Sequence, residues 1–258
     1  MDNETSVSSP QVIASDETPV LTPQSKQTKE RTAPKWESEV RERLKTAIKK
    51  FSKPLSELMA RDANEGDTRL IVTDFLCEGL GFDKYSELTT EYRVKGEFAD
   101  FGIRIEKQMI AFIEVKRVNT KLGAKHLRQV ESYAVNEGVE WIMLTNGAEW
   151  QVYHITGGLP IIVDLAMEVN LLSEDGVSQK VNQLFYISRE SLKRRQIDEL
   201  WKAKRATSPK SLAQIICSEA VVEAIRKELR RQTGQQVASD EITRLLKETV
   251  LRSESLRK

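Results

Sequence analysis

A chain of 258 residues, 39% hydrophobic and 31% charged, is long enough to bury a sizeable core. Its 40 Lys/Arg against 39 Asp/Glu leave a formal net charge of +1, so the chain as a whole carries no polyanion-binding signature. Cys77 and Cys217 are far apart and only His126 and His154 could join them, which argues against a structural zinc site; no apolar run approaches the roughly 20 residues of a membrane span and the N-terminus lacks a signal-peptide core, so a reducing cytoplasm is expected.

Residues 1–34 are rich in Ser, Thr, Pro and Gln with no apolar period, and read as a disordered tail. Trp36, Val40, Leu44, Ile48 and Phe51 recur at helical spacing, with Pro54 expected to end or kink that helix. Leu70, Ile71, Phe75, Leu76 and Leu80 mark a second helix closed by Gly81. Short strands follow around Glu91–Val94, Ala99–Ile105 and Met109–Lys116, then a helix over Gly123–Glu137. Trp141–Thr145 and Trp150–Ile155 form a strand pair joined by a turn containing Asn146-Gly147, with an edge strand at Ile161–Leu165. This order predicts an α/β fold, a central mixed sheet flanked by helices, over residues 35–167. Residues 168–258 read as a helical C-terminal extension broken at Ser208-Pro209 and Thr233-Gly234. From Tyr186 to Lys258 there are 17 Lys/Arg against 10 Asp/Glu, an excess that favours a phosphate backbone or simply decorates solvated helix faces.

One arrangement carries chemistry. Met109 to Val115 would be an uninterrupted apolar strand but for Glu114, and strand alternation places Ile110, Phe112, Glu114 and Lys116 on one face. A hairpin turning at Glu106-Lys107-Gln108 sets Asp100 opposite Glu114, roughly 5 Å apart at Cβ. Two like charges that close call for something positive between them, and a bound cation is the simplest answer; an ordinary Glu/Lys pair at a strand end is the plainer alternative. Two carboxylates and a lysine are the minimal kit of a divalent-metal phosphodiesterase.

These residues, with the upstream helix and the downstream Gln129-x-x-x-Tyr133, resemble the PD-(D/E)XK nuclease superfamily, above all the N-terminal nuclease domain of type I restriction enzyme R subunits and stand-alone predicted restriction endonucleases. The likeness spans about Asn64 to Ile155. It implies a restriction-endonuclease-like fold and a Mg²⁺-dependent DNA endonuclease, with Asp100, Glu114 and the Val115 carbonyl on the metal and Lys116 on the attacking water and the phosphate. It further implies Glu65 as an acid supplied from the first helix, where an N-terminal acid favouring the helix dipole is an equal explanation. Gln129 and Tyr133 share one helical face and would help position the metal or DNA, or are a surface Gln beside a part-buried Tyr. Ala99 stands where the superfamily name has proline. No Gly-x-x-x-x-Gly-Lys-Ser/Thr phosphate loop occurs, so no motor is evident; one alternative is a nuclease subunit silent until a restriction or defence partner subunit supplies a motor or specificity. A catalytically silent nucleic-acid or partner-binding module is the alternative.

Trp141, Trp150 and Tyr153 could stack on bases or pack in the core, His126 could contact phosphate or sit solvated on its helix, and Arg194-Arg195 and Arg230-Arg231 are phosphate contacts or exposed helix charges.

Overall fold

The first helix, α1 (Lys35–Ala60), runs six residues past Pro54. Proline removes one intrahelical bond, but Pro54 faces solvent while Leu55 and Leu58 extend the buried stripe of Val40, Leu44, Ala47, Ile48 and Phe51, and burial of that stripe holds the last turns. The sequence expectation of an end at Pro54 is therefore corrected. Asn64 caps α2 (Glu65–Asp74) by accepting the Asp67 N–H at 2.9 Å. The helix widens into a π-turn (Phe75–Gly79) and closes at Gly81, φ +85°, where a Cβ would lie 2.5 Å from the Arg43 guanidinium.

This computed structural model describes residues 34–94, 97–158 and 160–251. The expected tail over residues 1–33, and the side chains at 93, 94, 97, 98, 124, 128, 129 and 133, lie outside the described residues. Among the described residues, β1 (Leu88–Val94), β2 (Glu97–Ile105), β3 (Gln108–Val115), β4 (Trp141–Thr145), β5 (Glu149–Thr156) and β6 (Ile162–Asn170) form one sheet in sequential order. Every neighbouring pair is antiparallel except β3 and β4, whose parallel pairing requires the crossover through α3 (Leu127–Glu137). This is the mixed sheet flanked by helices that the sequence predicts.

The β2–β3 hairpin departs from expectation twice, and the two departures cancel. Its turn has two residues, Glu106 and Lys107, with φ of 51° and 71°, the conformation a tight primed turn demands. The shorter turn alone would slip the register by one residue. Ile110 restores it as a bulge: Arg104 pairs with Met109, Ile103 with Ala111, and Phe101 with Ile113. The bulge also inverts the outer half of β3, so Met109, and not Ile110, joins the face of Phe112. A second bulge at Ala166 breaks the alternation of β6, which hid its continuation from Leu165 to Asn170.

One face of the sheet packs Phe101, Ile103, Ile113, Met143, Trp150 and Val152 against α1, α2 and later helices. These are α4 (Val177–Phe185), α5 (Arg189–Lys193) and α6 (Gln196–Ala206). The other face packs Phe112, Ile142, Leu144 and Tyr153 under α3. The helices after β6 divide into two groups. Leu184, Phe185, Leu192, Ile197 and Trp201 belong to the sheet's own core, Arg189 grips Glu87, and Trp141 donates to Asp198 at 3.0 Å. The expected boundary after Met167 thus falls inside β6, and α4–α6 close the main core. Beyond Ser208, which caps α7 (Pro209–Ile216), the helices α8 (Glu219–Thr233) and α9 (Ser239–Leu245) bury far less.

Candidate functional site

Because β3 and β4 are parallel, both chains leave the sheet at the same edge, the place where α/β sheets habitually bind ligands. The last rung is Val115 with Thr145, and Lys116 N–H donates onward to the Thr145 carbonyl at 2.8 Å. On the other side β2 parts from β3 after Phe101 and Ile113. One residue beyond, the Asp100 side chain fills the gap: its Oδ2 accepts the Val115 N–H at 2.7 Å, where a ladder carbonyl would otherwise sit. Continued one residue past Phe101 and Ile113, the register sets Asp100 level with Glu114.

Glu114 is 5% exposed. Its Oε1 accepts from Lys116 Nζ at 2.5 Å, while Oε2 is buried without a partner. Burial pushes the Glu114 carboxyl above its ordinary range; Lys116 pulls it back, and Asp100 and Glu65 push it further up. Burial pulls the Lys116 ammonium down, yet Glu114, Glu65 and Asp100 together leave it above its ordinary value. Glu114 holds its proton more firmly than in water because burial outweighs Lys116, and Lys116 does so because the acids around it outweigh burial.

Helix α2 supplies the rest. Thr68, fully buried, accepts the Val118 N–H at 3.1 Å and donates to the Asn64 carbonyl, which pins α2 to the chain leaving β3. One residue on, Arg69 Nη2 lies 2.6 Å from Asp100 Oδ1 and 3.7 Å from Glu65 Oε1, and Nη1 lies 4.0 Å from Glu91. The site therefore holds Asp100, Glu114, Lys116 and, through Arg69, Glu65. Among the described residues no three His, Cys, Asp or Glu side chains gather closely enough to form a metal cage. Sequence reasoning passed over Arg69, Thr68 and Glu91. An arginine four residues after a glutamate reads as a surface helix pair, and a buried threonine in a helix sends no sequence signal.

Gln129 and Tyr133 lie on α3, and their side chains are outside the described residues. Trp141, Trp150 and Tyr153 are buried in the core, so base stacking is excluded for them in this fold. Trp150 donates to the Gly147 carbonyl and Tyr153 to Gln151. His126, part-buried in the short helical turn before α3, has its Nδ1 buried and unpartnered, and burial, then Lys125 and Lys116, hold its pKa below the ordinary value. Arg194 stacks on Trp36 at 4.1 Å, and Arg195 and Arg231 pair with Asp198 and Glu228.

No curated protein and no solved structure shows a significant match to the chain. Residues 64–164, from the cap of α2 into β6 and so including Asp100, Glu114 and Lys116, match the family model described as type I restriction enzyme R protein N terminus, and this stretch is similar to that restriction-enzyme module.

Proposed function

We propose that the protein is a Mg²⁺-dependent DNA endonuclease of restriction or phage-defence type. The observation that carries this reading is Glu114 Oε2, a buried carboxylate oxygen without a partner, level with Asp100 and beside the Lys116 ammonium. Leaving such an atom unsatisfied costs free energy that a cation would remove. Mg²⁺ suits the donors, because it takes hard oxygens and keeps most of its waters, so two carboxylates and the Val115 carbonyl suffice. Asp100 and Glu114 would hold the ion, which when bound polarises the scissile phosphate and acidifies water. Lys116 would orient the attacking water and steady charge on the phosphate. The similarity of residues 64–164 to a restriction-enzyme module supports DNA as the substrate, and the basic excess after Tyr186 suits its backbone.

The test is cleavage of unmodified and modified DNA in Mg²⁺ by the wild type, Asp100→Ala and Glu114→Ala. Cutting by the wild type, lost in both folded variants, is expected. A wild-type protein that binds DNA yet cuts none would leave a binding module instead.

A further inference from the structure

Arg69 is the group in the site that the nuclease reading leaves without a task. It projects from α2 into a convergence of acids from three elements: Glu65 on its own helix, Glu91 on β1 and Asp100 on β2. The contact with Asp100 is the tightest, at 2.6 Å, and the Arg69 Nε is buried without a partner. Asp100 is thus held on both oxygens, by the Val115 N–H on Oδ2 and by Arg69 on Oδ1.

Glu91 is unusual in its own right. Thr90 pairs with Phe101 and Tyr92 with Ala99, so Glu91 is the residue that faces Asp100 across the ladder, and it does so with φ +49° in the middle of a strand. That left-handed conformation is disfavoured for a residue with a Cβ. It coincides with a carboxylate 4.0 Å from the far side of the same guanidinium.

We propose that Arg69 is a positioning residue that competes with a divalent cation for Asp100, and that Glu91 retains the guanidinium when it yields. The proposal rests on the metal-site reading above. An arginine cannot shed its charge, so a cation on Asp100 Oδ1 and the guanidinium at 2.6 Å repel one another and compete for the same oxygen. Without the ion, Arg69 holds Asp100 in place. With it, Glu91 and Glu65 keep Arg69 close by, where its planar fork suits an incoming phosphate.

The experiment is calorimetric titration of Mg²⁺ into the full chain without DNA, with thermal melts alongside to report folding. Arg69→Met should bind Mg²⁺ about twofold to fivefold more tightly than wild type, as expected for release of one part-exposed ion pair. Arg69→Lys should stay near wild type, because the competing charge remains. Glu91→Gln should weaken binding, because the displaced guanidinium loses a negative partner, and Asp100→Asn should abolish it. Ion uptake by Arg69→Met where the wild type shows none also supports competition. If Arg69→Met binds no more tightly than wild type while Asp100→Asn still abolishes binding, the competition falls and the metal site stands. If neither wild type nor Arg69→Met takes up Mg²⁺, both fall together.

Discussion

The edge of the sheet where β2 and β3 part and the helices α7–α9 are both rich in charge, and they treat it in opposite ways. At the sheet edge the charged groups are largely withdrawn from water: Glu114 is 5% exposed, Asp100 is clamped between Arg69 and the Val115 N–H, and one carboxylate oxygen is left with nothing to bind. On α8 and α9 the charges lie largely in solvent and pair with near neighbours in sequence, Arg226 with Glu223, Arg231 with Glu228, and Arg244 with Glu241 and, in the turn after α9, Glu248. Exposed pairs of the second kind contribute little, about 0–1 kcal/mol each. Buried groups of the first kind cost several kcal/mol unless something compensates. The teaching is that charge density alone does not mark a site; charge kept where it is expensive does.

The contrast in packing gives the largest expected effect. Trp150→Ala removes a fully buried ring that packs on Phe75, and should cost about 3–5 kcal/mol in urea unfolding. Val222→Ala in α8, where Val222 is the buried residue of its helix, should cost about 1–2 kcal/mol in local unfolding of α7–α9 and leave the sheet's transition nearly unmoved. Equal costs would mean that the extension has a core as deep as the sheet's.

Charge handling gives the next effect. Because burial raises the Glu114 pKa, the folded state favours the protonated acid, and the stability it contributes is lost as pH rises above the ordinary glutamate value of 4.5 through the raised one. In metal-free buffer Glu114→Gln should therefore be more stable than wild type by about 1 kcal/mol at neutral pH, with the gap closing toward pH 4. A gap that widens on acidification would show that Lys116, not burial, governs the group. The same substitution on α8, Glu228→Gln, should leave stability nearly unchanged at either pH.

The smallest effect on stability is expected from the extension itself. Arg189, Glu190, Leu192, Asp198 and Trp201 tie α5 and α6 into the main body, so a cut at Arg189 would damage the core; a cut after Ser208 would not. Removing residues 209–258 should barely move the melting temperature while flattening the salt dependence of DNA binding, since fewer counterions are released. An unchanged slope would assign α7–α9 to a protein partner.

How far the sequence could be read follows the same division. The run Met109–Val115 interrupted by Glu114, and its distance from Asp100, were enough to predict the hairpin register, because a buried charged residue in an apolar strand is a local and costly anomaly. The turn length and the bulge at Ile110 were not legible, since each is a one-residue choice and only their sum fixes the register. Pro54 does not end its helix, because propensity is outweighed by burial of Leu55 and Leu58. Arg69 and Glu91 were illegible for a different reason: their meaning lies in which strand and helix meet, and nothing local in the sequence records that.

The proposed site cuts DNA and does not merely hold it, and Lys116 separates the two. Single-turnover cleavage at saturating enzyme in Mg²⁺ should fall by about 10² to 10⁴ in Lys116→Ala. Binding measured in parallel in Ca²⁺ should weaken far less, as for one phosphate contact among several. Equal losses in rate and affinity, or a wild-type rate of zero on every DNA offered, would contradict it.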